Sequence, residues 1–168
     1  MSQHPTYYHR IDATLFYKPH GDHGVMHTYR VMRLATELSS IYRLSFIEHR
    51  ILMCACCYHD IGRTHDYEDF EHGRDSVSNC QEHNLFRLFH LSPEQQDWAE
   101  QLIIYHAKPD SHFTTQHERL LLLYQIIKDA DAIDRLRFDD LDPSFLRLPE
   151  SHCLLNMEKQ LLKELPLK

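Results

Sequence analysis

Glycine is scarce in this chain, four in 168 residues, and no stretch alternates β-branched with polar side chains. Tight hairpins need the first and strands the second, so a sheet is excluded as the main architecture. No run reaches the roughly 18 uncharged apolar residues of a membrane-spanning helix. The opening MSQHPTYYHRID holds neither an apolar stretch nor a small-residue cleavage motif, so no secretory signal is expected. Positive charge is in deficit too: 18 Lys and Arg face 25 Asp and Glu, a net charge of −7. Duplex nucleic acid is therefore not expected as a partner, because no basic face can neutralise many phosphates. Cysteine is odd in number, five, and Cys54, Cys56 and Cys57 crowd one apolar run. The Cys54/Cys57 pair lacks two further ligands at zinc spacing and lies inside a helical stretch rather than at an exposed helix start. These cysteines read as buried thiols in a reducing, cytoplasmic setting.

What is present is helix, and histidine. Hydrophobic residues at 42% with 26% charged are ordinary globular usage, so residues 1–168 are expected to form a single domain. The periodicity predicts an all-α bundle of about six helices. The first runs from about Asp22 to Ser40. The second opens at Ser45, an N-cap with Glu48 three residues on, and ends near Gly62. A third covers about Glu71 to Phe89. A fourth starts at Ser92-Pro93 and reaches Ala107. A fifth covers about Gln116 to Leu136, and a last amphipathic helix runs from about Glu150 to Leu165.

Fifteen histidines exceed what packing requires, and several stand where an apolar residue belongs. His27 shares the inward stripe of Val31, Leu34 and Leu38, with His23 a turn earlier if the helix has begun. His59 continues the face of Leu52 and Ala55, with Asp60 beside it at the helix end. His106 follows Ala99, Leu102 and Ile103. Asp131 follows Leu120, Tyr124 and Ile127, with Arg30 or Arg135 as a salt-bridge alternative. Taken singly, an inward histidine usually bonds a neighbouring backbone or carboxylate. Four helices each turning such a group inward call for a cation, since an unpaired buried carboxylate costs several kcal/mol or more. A His/Asp donor set suits Mn, Fe, Co, Ni, Zn or Mg.

The segments HTYRVMRLA (27–35), CCYHDIGR (56–63), IIYHAK (103–108) and KDADAIDRL (128–136) resemble the motifs of the HD-domain superfamily of metal-dependent phosphohydrolases. The resemblance covers about residues 23–136. It implies a metal set of His27, His59, Asp60 and Asp131, with Asp131 preferred to Asp129 because Asp134 follows at the family's spacing. It further implies a second ion held by His72 and His106 with Asp60 bridging; His65 and His112 are weaker candidates. Arg63 stands where the family often has Lys, near the substrate phosphate, and Lys108 and Arg30 are further candidates for that contact. His23, one turn before His27, is a candidate for assisting proton transfer.

The activity so implied is hydrolysis of a phosphate ester, mono- or diester, in a nucleotide or related small molecule. One or two divalent ions per chain would activate the attacking water. Two other readings carry over: a two-iron oxygenase, and a nucleotide-binding module with little turnover. Residues 139–168 are expected to close the pocket or to form a homodimer contact.

Overall fold

Two serines set where the central helices begin. Ser45 Oγ accepts from Glu48 N at 3.3 Å while the Glu48 carboxylate accepts from Ser45 N at 2.7 Å. Ser92 and Gln95 repeat the exchange at 3.4 and 3.1 Å. Each pair satisfies backbone donors that a helix's first turn leaves open. The computed structural model describes residues 5–164. Among them lie six α-helices, joined by loops and 3-10 turns, and no strand. They are α1 (Val25–Ile41), α2 (Phe46–Tyr58), α3 (His72–Glu82), α4 (Pro93–Tyr105), α5 (Glu118–Ile133) and α6 (Leu155–Glu164).

Helix α2 forms the middle of the bundle. Every residue from Ile51 to Tyr58 is buried, as expected of a helix apolar on all sides, and α1, α4, α5 and α3 pack around it. Cys54, Cys56 and Cys57 are free and buried there, and burial pushes the Cys54 and Cys57 thiols well above their ordinary range. Each large side chain buried in this core contributes about 1.5–3 kcal/mol of transfer free energy. No helix among the described residues is long and apolar enough to cross a membrane.

Several expected boundaries shift. The first helix starts at Val25, not Asp22, with Gly24 at its N-cap. The second ends at Tyr58, leaving His59 and Asp60 in the turn that follows. The third is two pieces: α3 stops at Glu82, Asn84 adopts a left-handed conformation with φ of 53°, and a 3-10 helix covers Leu85–Phe89. Continuing α3 in the register of Val77 and Cys80 would turn Asn84 and Arg87 inward. The left-handed residue resets that register and buries Leu85, Phe86 and Phe89. The fifth tightens into a 3-10 turn at Asp134–Phe138. The last begins at Leu155 behind a 3-10 segment, Pro149–Leu154; its expected end at Leu165 lies outside the described residues.

Two glycines let α3 approach the centre. A Cβ on Gly62 would stand 2.1 Å from Ser76 N, and one on Gly73 would stand 2.3 Å from the Ile103 carbonyl. No side chain fits either contact. Ser76 then clamps the turn after α2, its Oγ donating to His59 O at 2.7 Å and accepting from Gly62 N at 2.8 Å. Asn79 Nδ2 adds a bond to Ile61 O at 2.9 Å.

Candidate metal centre

Four buried imidazoles converge on one carboxylate. His27 comes from α1, His59 from the turn after α2, His72 from the start of α3 and His106 from the end of α4. Asp60 lies between them. Its Oδ2 is 3.2 Å from His27 Nε2 and 3.4 Å from His59 Nε2. Its Oδ1 is 2.9 Å from His72 Nε2 and 3.7 Å from His106 Nε2. Asp131 on α5 completes the first side, its Oδ1 3.3 Å from His27 Nε2 and 4.0 Å from His59 Nε2. One carboxylate thus faces two histidine pairs, one pair on each oxygen.

The outer nitrogens decide what the inner ones can do. His59 Nδ1 donates to Cys56 O at 2.8 Å, His106 Nδ1 to Ile103 O at 2.7 Å and His72 Nδ1 to Asp69 O at 2.5 Å. His27 Nδ1 donates to Asp134 Oδ2 at 2.5 Å. These partners fix the tautomer, so each neutral ring turns a bare Nε2 lone pair inward. Yet His27 and His59 bring those nitrogens to 3.1 Å, and His72 and His106 to 2.9 Å. Two bare lone pairs at that distance repel, so each gap must hold either a proton, as on His27, or a metal cation. Nitrogens each about 2.0–2.1 Å from one ion are separated by about 3 Å, so the residues fit divalent metal on both sides of Asp60. Three overlapping sets of donor atoms, each within 4.8 Å, are His23/His27/Asp60, His27/His59/Asp131 and His59/Asp60/His106.

The ionisation states agree with this division of labour. Burial holds His59 down at about 4, neutral and ready to ligate. Burial works against charge on Asp60 and Asp131, but the surrounding imidazoles outweigh it and keep both carboxyls well below their ordinary range. His27 is the exception. Burial lowers its proton affinity, but bonds to Asp131, Asp134 and Asp60 raise it well above the ordinary value. An ion entering there displaces that proton.

The remaining candidates divide. His23 precedes α1 rather than lying on it, yet its Nδ1 reaches Asp60 Oδ2 at 3.1 Å. Arg63 donates from Nε to Asp60 Oδ1 at 2.9 Å and lines the cleft above the centre. Arg30 does not face that cleft: it is fully buried, its Nε 2.5 Å from Asp134 Oδ1. The role expected of it at a substrate phosphate is withdrawn, since its charge is spent on the carboxylate behind His27. Lys108 is likewise engaged, buried with its Nζ 2.6 Å from Glu71 Oε1, and stands outside the cleft lining. Lys128, three residues before Asp131, is the lysine on the cleft wall. His65 and His112 stay outside the cluster, His65 3.9 Å from Asp69 Oδ2 and His112 exposed.

Asp134 and Asp129 carry structural duties behind the ligands. Asp134 accepts from His27, Arg30 and Arg137 together, and so orients His27. Asp129 is buried two residues before Asp131 and pins a segment that lines the cleft. It accepts from Arg147 N at 3.0 Å, Leu148 N at 2.9 Å and Ser151 Oγ at 2.8 Å. Asp129 and Asp131 diverge on α5 because two residues along a helix turn about 200°.

The fold is all-helical, and its His/Asp cluster fits a divalent metal ion. The sequence profile of the HD domain matches residues 24–136, and the chain belongs to that family, whose members are generally metal-dependent hydrolases. Neither the curated proteins nor the solved structures compared with it include a match.

Proposed function

We propose that the protein is a metal-dependent phosphohydrolase acting on a nucleotide or a related small phosphate ester. The observation that carries this reading is the paired inward Nε2 atoms on both oxygens of Asp60, beneath a cleft of about 480 Å³ walled by His106, Asp131 and Arg63. His27, His59, Asp60 and Asp131 would hold one divalent ion, and Asp60, His72 and His106 a second. Bound there, such an ion supplies Lewis acidity toward water and toward phosphoryl oxygens.

The chain's own groups do the rest. Asp60 fixes the direction of attack through its two oxygens and is itself held by Arg63. The same guanidinium borders the cleft, where its remaining N–H groups suit a phosphate oxygen. His23 is only partly buried, and its Nδ1 contact with Asp60 places it to take a proton from the attacking water. As the water oxygen bonds phosphorus, the ester P–O bond breaks, and the leaving alkoxide takes up the proton that His23 removed from the water.

The test is phosphate release from a panel of phosphomonoesters and phosphodiesters by protein supplied with Mn, Fe, Co, Ni, Zn or Mg. Turnover of at least one ester, lost on chelation, supports the reading; no turnover with any metal refutes it. The second histidine pair on Asp60 Oδ1 also favours a two-iron centre, so oxygen uptake by ferrous protein is the control that separates an oxygenase.

A further inference from the structure

Large aromatic rings in water lose burial energy, and the two most exposed on this protein share one cleft with a third, whereas exposed Tyr17, Phe46 and Phe138 lie outside its lining. Tyr67 is 80% exposed, Phe145 is 75% exposed and Phe70 is 47% exposed, and all three line the cleft over the metal centre. They come from two stretches of the cleft's rim that lie far apart in the sequence. Tyr67 and Phe70 belong to the loop between Asp60 and α3, and Phe145 ends the short 3-10 turn Pro143–Phe145 in the segment pinned by Asp129.

Each stretch is tied to the centre by an arginine. Arg63 bonds Asp60 through Nε at 2.9 Å and the Tyr67 carbonyl through Nη1 at 3.2 Å. Arg147 bonds buried Asp129 through Nη1 at 3.1 Å and the Phe145 carbonyl through the same nitrogen at 3.4 Å. Lys18 adds a brace to the first stretch, its Nζ 2.5 Å from Asp66. The backbone under both outer rings is therefore referenced to carboxylates at or beside the metal ligands, an ordering cost met before any ligand arrives.

We propose that Tyr67, Phe70 and Phe145 form an aromatic rim that stacks on a planar heterocycle, so that the centre's substrate is a nucleoside phosphate held by its base. The inference rests on the phosphohydrolase reading for the phosphate end, but the ring end is argued separately. A cleft of about 480 Å³ lies within the roughly 300–1,000 Å³ typical of small-molecule sites. A simple alkyl phosphate would leave the rim unused. Stacking demands a flat face and little else, so the rim selects for a base over an aliphatic group more than for one base over another.

Binding is measured with adenosine, guanosine, cytidine and uridine, none of which carries a phosphate, against ribose as the ring-free control. Metal-loaded protein and calorimetry or ligand-observed NMR serve for this. At least one nucleoside should bind at least tenfold more tightly than ribose. Tyr67→Ala/Phe145→Ala should weaken that binding by about 5- to 150-fold, the range that one stacked base contributes, and Phe145→Trp should retain it. The double variant should melt within about 2 °C of the parent, because both rings are exposed. Nucleosides that bind no better than ribose, or an alanine double variant that binds as the parent does, overturn the proposal. Because no ester is cleaved in this experiment, its outcome is independent of whether the centre hydrolyses phosphate.

Discussion

Replacing Glu158 by glutamine should change how stability depends on pH, because this carboxyl is buried on α6 behind the metal centre. It is fully buried, 3.6 Å from Arg30 Nε. Burial, and then the adjacent Asp134, push its pKa from 4.5 to about 8, against the opposing pull of Arg30 and Arg137. Between those values the unfolded chain has lost the proton and the folded chain still holds it. The stabilisation is therefore complete below about pH 4.5 and is lost as pH rises through 8. At its steepest the loss is about 1.4 kcal/mol per pH unit. Across the window it amounts to about 3–5 kcal/mol, a large share of a typical 5–15 kcal/mol. Glutamine has no proton to lose. In urea denaturation with chelator present, the stability of Glu158→Gln relative to the parent should rise by about 3 kcal/mol from pH 5 to pH 8. With an m-value of about 1–3 kcal/mol/M, the midpoints should diverge by about 1–3 M. A difference that stays constant over that pH range would refute the reasoning, and with it the neutral Glu158 beneath Arg30 and Asp134.

Three further substitutions test the centre itself. Asp134→Asn takes the anion from His27 Nδ1 and from buried Arg30; metal affinity by chelator competition should fall about 10–100-fold, and stability by about 3–5 kcal/mol. Asp60→Ala should abolish turnover and release metal while circular dichroism stays helical; full activity with metal retained would remove Asp60 from the centre. His106→Ala should reduce the bound metal from two ions to one, and an unchanged stoichiometry would make His106 a cleft residue rather than a ligand.

Much of this was legible because the signals are local. Ser45 with Glu48, and Ser92 with Pro93, mark helix starts within four residues of sequence. The stripe positions of His27, His106 and Asp131 follow from helical period alone. What escaped depends on partners far along the chain. Arg30 and Lys108 carry the right charge for phosphate, but their carboxylates, Asp134 and Glu71, are 104 and 37 residues away. Nothing in the sequence near either cation announces them. The same holds for Glu158, whose polar neighbours come from α1 and the turn after α5. Helical periodicity alone carries the third helix too far, because one left-handed residue, Asn84, resets the register, and asparagine tolerates that conformation without requiring it. The apolar stripe extends the first helix back over His23, whereas the helix begins at Val25 and the histidine still reaches Asp60 from the preceding loop.

The inward histidines are arranged to hold metal, and that reading stands or falls on metal content. Its most direct test is elemental mass spectrometry on protein purified without chelator or immobilised-metal chromatography, beside His59→Ala prepared the same way. About two transition-metal ions per chain are expected, with loss from the His59→Ala protein. A chain that holds no metal after reconstitution, or whose metal content is unchanged by His59→Ala, would contradict it.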